Sequence, residues 1–368
     1  MIPARFVDSV RPDAPPATPM KAARRRRRDP RSNRLVVADA TSGALLEVAF
    51  AELPRFFDAG DVLVVNDAGT RPASIRLRVD VDLDRDVDVE ARILGELDDG
   101  AVDVVLFGAG SWRDDTDHRP APPPVHVGDT LRAQIGSARV LAVSDVSPRL
   151  VRIVFSDDAR AHLFEHAAPV QYSYMERALT LADVQTPYAS RPWASEMPSA
   201  GRALSTSILV ALRKKGVAIA RVTAAAGLSA TGDPALDKLL PLPERYEIPR
   251  DTVDAIAAAR RAGRRVIAVG TSTVRALESS LVDCGAIVAG PGIARLILGP
   301  ETPAQSVDGI LSGMHEERTS HDALLRAFAP DRVVDDVIRV GRERGLLIHE
   351  LGDHCLIAPG IVRAAQNG

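Results

Sequence analysis

The hydrophobic positions of the chain follow two patterns. Uninterrupted apolar runs, which predict strands buried on both faces, end in polar or glycine residues at 62–67 and 266–270. Between these runs, residues 75–84 alternate between apolar and charged side chains, which is the period of a half-exposed strand. Further short β runs continue to Phe155 without a helical period, and they indicate an inserted antiparallel barrel or sandwich.

After this insert the periods of helices and strands alternate. Helices are predicted at residues 203–215, 252–261 and 319–329, strands at 217–222, 266–269 and 284–289, and a turn at 290–292. This order predicts an α/β fold, with a mixed or parallel sheet covered by helices and an inserted antiparallel β-barrel domain. The predicted divisions are a flexible basic N-terminal arm at 1–34, the α/β domain at 35–73 and 153–368, and the barrel at 74–152.

The run that ends at Gly270 reads as a strand, a tight turn and the start of a helix. We expect the hydroxyl of Thr271 or Ser272 to cap that helix, and its free N–H groups to bind an anion such as a carboxylate or phosphate. Arg275, one turn further along, would add a positive charge. An ordinary strand-to-helix connection, in which Gly270 relieves the turn, is the alternative interpretation.

Composition narrows the class of protein. Two cysteines, Cys284 and Cys355, are too few for a disulfide framework in 368 residues, and they indicate free thiols and a cytoplasmic location. Neither a long apolar run nor an apolar signal core is present, so we expect no membrane partner. The net charge of −3 provides no overall attraction to nucleic acid, and any RNA surface must therefore be local.

The largest local concentration of charge is the run Arg24 to Arg28. Its five adjacent arginines and the prolines before it predict an arm without regular structure. Two functions are open for it, a solvated tail or a segment that neutralises RNA phosphates. The barrel's alternating aspartates, in contrast, would repel phosphate, so the arm is the predicted RNA contact.

Six blocks of sequence, in order and spacing, resemble one known family. The chain is similar to the S-adenosylmethionine:tRNA ribosyltransferase-isomerases of queuosine biosynthesis over roughly residues 35–357. The blocks that carry the resemblance are Gly60 to Asp67, Gln185 to Ala189, Met197 to Gly201, Arg265 to Ser279, Val307 to Leu311 and Gly352 to Ile357. The family's fold, an α/β domain with a β-barrel insert, agrees with the fold predicted from the hydrophobic pattern.

The resemblance implies a specific reaction. In this family the ribosyl part of S-adenosylmethionine moves to a 7-aminomethyl-7-deazaguanine base in tRNA, with release of adenine and methionine. S-adenosylmethionine is therefore the implied ribosyl donor and tRNA the implied partner, and no metal is implied. Because the sulfonium acidifies the neighbouring C5′ proton, the chemistry needs a positioned general base.

Several polar positions depart from the family pattern and indicate a divergent branch. The segment Asn66 to Gly69 lacks the arginine of the family's Asn-Asp-Thr-Arg, and three family histidines are replaced elsewhere. His315 keeps one family histidine, and His321 is an addition. Two alternative functions therefore stay open, namely a related enzyme that uses S-adenosylmethionine on a non-tRNA acceptor, and a non-catalytic binding protein that retains the fold.

The predicted site lies beyond the strand ends at Asn66 and Gly270, because open α/β sheets bind ligands at the carboxyl ends of their strands. His315 is the first candidate for proton transfer, since imidazole titrates near neutral pH, although a solvent-facing or backbone-bonded histidine is the alternative. The other candidate catalytic residues are Glu278 and Asp67. The candidate substrate-binding residues are Asn66, Ser199, Gly201, Gly270, Thr271, Ser272, Arg275, Ser320, His321 and Asp353.

Overall fold

A computed structural model describes residues 5–6, 19–24, 32–82, 85–96, 100–317 and 319–364. The strands are β1 Arg5–Phe6, β2 Lys21–Ala22, β3 Arg34–Asp39, β4 Leu45–Ala49, β5 Val62–Asn66, β6 Ser74–Asp82, β7 Arg85–Glu96, β8 Val102–Phe107, β9 Thr130–Arg132, β10 Ser137–Val143, β11 Leu150–Phe155, β12 Ala218–Ala224, β13 Glu244–Ile248, β14 Val266–Val269, β15 Gly290–Ala294, β16 Gly309–Gly313, β17 Leu347–Ile348 and β18 His354–Ala358. The helices are α1 Asp157–Ala161, α2 Leu163–His166, α3 Thr206–Lys214, α4 Pro234–Asp237, α5 Arg250–Arg261, α6 Thr271–Cys284, α7 Ser320–Leu325, α8 Asp331–Arg344 and α9 Ile361–Ala364.

A ten-stranded mixed sheet forms the centre of the α/β part, in the order β1-β4-β3-β18-β16-β14-β5-β12-β13-β15. Its middle strands β16, β14, β5 and β12 are parallel, and β18 is antiparallel to β16. Successive residues of β5 belong to clusters of apolar side chains on opposite faces of the sheet. Val62 and Val64 belong to the cluster that includes α5, α6 and α8, whereas Leu63 and Val65 belong to the one that includes α3 and α9. Burial of both faces explains the uninterrupted apolar runs of the sequence.

The insert is a closed six-stranded barrel with strand order β10-β11-β8-β7-β6-β9, and all its pairings are antiparallel. This confirms the predicted α/β fold with an antiparallel β-barrel insert. The last barrel strand continues to Phe155, so the predicted division at 152/153 falls inside β11. The charged side of the alternating strand faces outward, where Asp80 and Asp86 both pair with Arg132.

The predicted elements around residues 284–292 are wrong. Helix α6 continues to Cys284 and ends at Gly285, which has φ of 71°, and the edge strand β15 begins at Gly290. Gly292 serves close packing inside this strand, because an added Cβ would lie 2.3 Å from Cζ of Tyr246. Helix α8 was absent from the predicted elements; its apolar side packs on the sheet through Val333, Val337 and similar residues.

The predicted arm at 1–34 is also wrong where the structure describes it. Lys21 and Ala22 form β2, which pairs in parallel with β17, and β1 pairs with β4. Ala23 is buried in one apolar cluster with Met175 and Leu351. Arg24 is exposed, whereas Arg25 to Arg28 lie outside the described residues.

Candidate active site

Four parallel strands end at the same edge of the sheet, which we call the C-terminal edge. Strands β5 and β14 are direct neighbours, with Val62 opposite Val266 and Val64 opposite Ala268. Asn66 and Gly270 therefore meet at this edge, as predicted for a ligand site of an open α/β sheet. Strand β16 lies beside β14 and leads into His315 at the same edge.

The turn at Gly270 joins β14 to α6 without a side-chain cap. Gly270 itself is the N-cap, with φ of 83°, and makes no side-chain cap, so the predicted capping by Thr271 or Ser272 is wrong. Thr271 and Ser272 form the first turn instead, and Ser272 hydrogen-bonds the side chain of Glu244. The first N–H groups of a helix have no intrahelical partner, so this helix start can still receive an anion.

A short 3₁₀ turn, Ser199–Gly201, lies over this edge. An added Cβ at Gly270 would be 3.4 Å from the Cβ of Ala200, which shows how closely the turn approaches the strand end. Gly201 faces Tyr188, whose hydroxyl oxygen would be 1.9 Å from an added Cβ, so glycine is required at this position. The hydroxyl of Tyr188 is buried without a hydrogen-bond partner among the described residues. Burial and the nearby Asp67 carboxylate raise the pKa of Tyr188, which remains a proton donor.

His315 and His321 come together as predicted, since their rings stack with centroids 4.0 Å apart. His321 lies in the first turn of α7, next to Ser320, and the helix is capped by Thr319, which accepts a hydrogen bond from the Asp322 N–H. Thr319 is therefore the N-cap of α7.

Both stacked histidines are neutral at pH 7. Burial lowers the pKa of His315 well below 6.5, and the charges of His321, His349 and His354 lower it further. Burial and the charge of His349 lower the pKa of His321 to about 4. The expectation that His315 titrates near the working pH is therefore wrong: the imidazole is free to accept a proton or a hydrogen bond, but it is a weaker base than an exposed histidine.

Asn66 and Asp67 are anchored at the end of β5. The Asn66 amide donates to the Ala224 carbonyl at 2.9 Å and accepts from the Ala68 and Ala224 N–H groups, each at 3.0 Å. One oxygen of Asp67 accepts a 2.6 Å hydrogen bond from the Thr223 hydroxyl. These contacts tie β5 to β12, and they leave the other Asp67 oxygen without a partner among the hydrogen bonds of the described residues.

The side chains of three other predicted site residues already bond to other parts of the chain. The guanidinium of Arg275 donates to Glu244 at 2.5 Å and to the carbonyls of Leu242, Ala294 and Leu296. Glu278 is buried in α6, where it accepts the N–H groups of the loop 305–306. Asp353 is fully buried and accepts the N–H groups of Arg34 and Leu347. These contacts favour structural roles for all three, in place of the predicted ligand or proton-transfer roles.

A second polar cluster, whose residues were not among the predicted site residues, lies between the barrel and the α/β part. Tyr172 stacks on Tyr174 at 5.9 Å, and Tyr174 stacks on His349 at 4.5 Å. Tyr172 donates a hydrogen bond to Glu196, and Tyr174 donates one to Glu350. Glu196 directly precedes the block Met197 to Gly201. Its position as a charged residue beside that block is the feature of the sequence that could have identified it.

Burial controls the charge of this cluster. Burial and the neighbouring charge of Glu350 raise the pKa of Glu196 to about 7, against hydrogen bonds from Tyr172 and Ser229 that favour its ionised form. Burial raises the pKa of both tyrosines well above 10, so both remain hydrogen-bond donors. At neutral pH Glu196 is therefore divided between its protonated and ionised forms, a state suited to proton exchange.

The described residues contain no group of three or more His, Cys, Asp or Glu side chains placed to hold a metal ion. Within the same part of the chain, every helix is too short or too polar to cross a membrane.

Comparison with known proteins adds independent information. Residues 16–357 match the profile of a family described as "Queuosine biosynthesis protein". An S-adenosylmethionine:tRNA ribosyltransferase-isomerase from Thermus thermophilus is 31% identical over 83% of this chain and 86% of its own length. One from Methylocella silvestris is 32% identical over 85% and 87%, respectively. A crystal structure of an S-adenosylmethionine tRNA ribosyltransferase from Thermotoga maritima, 21% identical, covers 93% of this chain and 99% of its own, with a TM-score of 0.49.

Proposed function

The chain belongs to the queuosine biosynthesis protein family, and we propose that it transfers and isomerises the ribosyl part of S-adenosylmethionine onto a 7-deazaguanine base in tRNA. The reaction would take place at the C-terminal edge, and a cytoplasmic location, where free cysteines persist, belongs to the same proposal. Identities of 31% and 32% to the two relatives agree with the divergent branch indicated by the motifs.

The start of α6 supports the binding of S-adenosylmethionine. Its unpaired N–H groups and helix dipole favour an anion, and we expect the methionine carboxylate to lie there, beside Ser199 and Gly270. Positively charged imidazoles would repel the sulfonium, but His315 and His321 are neutral at pH 7. The edge can therefore accept a ligand that carries a carboxylate at one end and a sulfonium at the other.

The stacked pair of His315 and His321 carries the chemical part of the proposal. A neutral imidazole at the strand edge can accept the acidified C5′ proton or orient the ribose by a hydrogen bond. Because burial makes His315 a weak base, transfer to it is favoured only from a carbon that the sulfonium has acidified.

The position of Arg24 supports an RNA partner. Its carbonyl accepts the Glu176 N–H at 3.0 Å, next to the loop that carries Met175. The basic run therefore begins beside the interface between the barrel and the α/β part. Arginines that start there can contact phosphates of an RNA whose base enters the site.

Replacement of His315 tests the catalytic assignment. We expect His315→Gln to keep the fold and the thermal stabilisation by S-adenosylmethionine while lowering adenine release by about 10² to 10⁴-fold, because glutamine keeps a hydrogen-bonding group but cannot take the proton. His126→Gln is the matched control, since His126 is exposed on the barrel. A loss of less than about tenfold assigns His315 to ribose orientation, and full activity contradicts any role in the reaction.

The acceptor is tested with the wild-type protein. Adenine release that requires tRNA carrying 7-aminomethyl-7-deazaguanine supports the proposed function. Release with the free base alone would favour the non-tRNA acceptor. Binding of S-adenosylmethionine without release in either case would indicate a binding protein.

A further inference from the structure

The polar cluster between the barrel and the α/β part borders a cleft. The cleft is small and partly open to solvent, and its apolar walls include Met175, Leu179 and Met197. Glu196 and Glu350 are the acidic side chains that line it. We call this space the two-glutamate cleft. It places two carboxyl groups on the border of one small volume.

Both carboxyl groups of the cleft are held by neutral donors. Glu196 accepts hydrogen bonds from the hydroxyl of Tyr172 and from the N–H of Ser229, and Glu350 accepts one from the hydroxyl of Tyr174. The hydrogen bonds and ion pairs of the described residues join neither carboxyl group to an Arg, Lys or His side chain. Since a carboxylate has about four acceptor positions, both groups can accept further hydrogen bonds.

The two carboxyl groups disfavour each other's charge. Burial and the charge of Glu350 raise the pKa of Glu196 to about 7. The charge of Arg92 also interacts with Glu196, but the guanidinium of Arg92 bonds Glu90 at 2.8 Å and its side chain is only 1% exposed. A cation beside Glu196 and Glu350 would relieve their repulsion. The cleft therefore favours a ligand with a positive charge.

A buried amide gives a second, independent indication of a ligand. Gln171 lines the same cleft and is 5% exposed. Its oxygen accepts the Leu179 N–H at 2.8 Å, which fixes the orientation of the amide, and its Nε2 is buried without an acceptor among the described residues. A buried donor without a partner costs free energy, so we expect an oxygen of the ligand to accept from Gln171.

A stack of rings connects the cleft to the C-terminal edge. Tyr172 stacks on Tyr174, and Tyr174 stacks on His349 with centroids 4.5 Å apart. The His349 N–H donates to the Met314 carbonyl at 3.0 Å, directly before His315. His349 also has φ of 70°, a conformation that is uncommon for residues other than glycine and that recurs at functional sites. A ligand in the cleft therefore lies close to the stacked histidines.

The acceptor base of the proposed reaction carries groups that match the cleft. Its 7-aminomethyl arm is an ammonium at neutral pH, like a lysine side chain. The carbonyl oxygen of the ring lies on the same edge as the arm, as O6 and N7 do in guanine. The methionine part of S-adenosylmethionine also has an ammonium, but the carboxylate on the same carbon would be repelled by Glu196 and Glu350.

We propose that the two-glutamate cleft binds the 7-aminomethyl ammonium group of the acceptor base together with the neighbouring ring carbonyl. Glu196 and Glu350 accept hydrogen bonds from the ammonium, and Gln171 donates to the carbonyl. Because the cleft is small, only this edge of the base enters it. The inference rests on the proposed function and extends it, because it names the residues that distinguish the acceptor base from an ordinary guanine.

The test compares two forms of one tRNA, which carry either 7-aminomethyl-7-deazaguanine or guanine at the same position. Both bases have the carbonyl, but only the first has the ammonium arm. In filter binding, we expect wild type to prefer the first form and Glu350→Gln to reduce that preference roughly tenfold, the effect of one charge-assisted hydrogen bond. Glutamine can still accept the hydrogen bond from Tyr174. Glu165→Gln is the matched control, since Glu165 is exposed in α2.

Two further variants make the test independent of a single substitution. Glu196→Gln should reduce the same preference, because it removes the other carboxylate. Gln171→Glu keeps an acceptor for the Leu179 N–H but loses the free donor, so it should weaken binding of the tRNA that carries guanine.

The outcomes separate this inference from the proposed function. Equal affinity of wild type for the two tRNAs, or an unchanged preference in both Glu350→Gln and Glu196→Gln, would overturn the inference, while adenine release by wild type still supports the proposed function. Loss of thermal stabilisation by S-adenosylmethionine in Glu350→Gln, with an unchanged tRNA preference, would assign the cleft to the methionine ammonium and also overturn the inference. Absence of both tRNA binding and adenine release in wild type would overturn both.

Discussion

Two glutamates, the buried Glu90 on a barrel strand and the partly buried Glu196 between the barrel and the α/β part, have opposite pKa shifts. Burial tends to raise the pKa of Glu90, but the charge of Arg92 and hydrogen bonds from Arg119, Arg92 and Ser74 outweigh it and lower the pKa to about 2. Glu196 has no arginine at hydrogen-bonding distance among its described contacts, and burial with the charge of Glu350 raises its pKa to about 7. Burial alone therefore does not decide whether a carboxyl group is charged.

The neighbouring groups decide whether the carboxyl group is charged. They also distinguish a glutamate with a structural role from one that can take part in chemistry. Glu90 pairs with Arg92 and Arg119, and the guanidinium of Arg92 also lies 4.5 Å from the centroid of the Phe107 ring, so the charge of Glu90 is compensated within the fold. Glu196 is held by a tyrosine and a backbone N–H, which leaves it able to exchange a proton at neutral pH. We infer that Glu90 stabilises the fold through its two charge pairs, whereas Glu196, which combines neutral donors with a raised pKa, is a candidate for function.

The largest effect on the free energy of unfolding is expected from Glu90→Gln. It leaves Arg92 and Arg119 buried without a countercharge, and we expect a loss of about 3–5 kcal/mol in the free energy of unfolding. Urea denaturation measures this, with the exposed Glu165→Gln in α2 as a control that should change by less than about 0.5 kcal/mol. A loss below 1 kcal/mol for Glu90→Gln would show that the two arginines do not need the carboxylate.

A smaller effect, dependent on pH, is expected from Glu196→Gln. Because the folded-state pKa is raised to about 7 from 4.5, the folded protein keeps a proton that the unfolded chain loses, and stability falls as pH rises across this window. Glutamine removes this decline, which is on the order of 1–3 kcal/mol. The charged or titratable neighbours are Glu350, Tyr172 and Arg92, and none of them is changed in the variant.

The measurement is urea denaturation of wild type and Glu196→Gln at pH 5 and pH 7. His321 acts with the opposite sign, since its lowered pKa makes stability fall as pH drops from 6.5 towards 4. The quantity to compare is therefore the difference in the free energy of unfolding between wild type and Glu196→Gln at each pH. A difference that does not change between pH 5 and pH 7 would mean that Glu196 titrates normally.

The smallest effect is expected from Arg132→Ala on the barrel surface. Arg132 pairs with Asp80 and Asp86, but its side chain is 50% exposed, and exposed ion pairs contribute about 0–1 kcal/mol. Thermal denaturation at low and high salt measures it, and the variant should lose its small deficit at high salt. A loss above about 2 kcal/mol would show that surface pairs matter to this barrel as much as the buried Glu90 cluster.

Local patterns in the sequence were sufficient to predict strands of the sheet and the barrel. The run Val266–Val269 became β14 with the predicted limits, because all four of its residues are buried. The turn predicted at Gly290–Gly292 failed for the opposite reason: Gly292 makes room for Tyr246, which is 46 residues away in sequence.

The sequence by itself determined the fold class, the position of the barrel insert, the edge at which Asn66 and Gly270 meet, and the resemblance to the family. These depend on periodicity and on neighbouring residues, which a linear chain records directly. Tertiary structure alone decided which charged residues are available: Arg275, Glu278 and Asp353 are occupied by distant backbone groups, whereas Glu196 meets its partners at positions 172, 229 and 350 only in the folded chain. The physical reason is that a side chain's charge depends on burial and on atoms a few ångströms away, and these atoms come from remote segments.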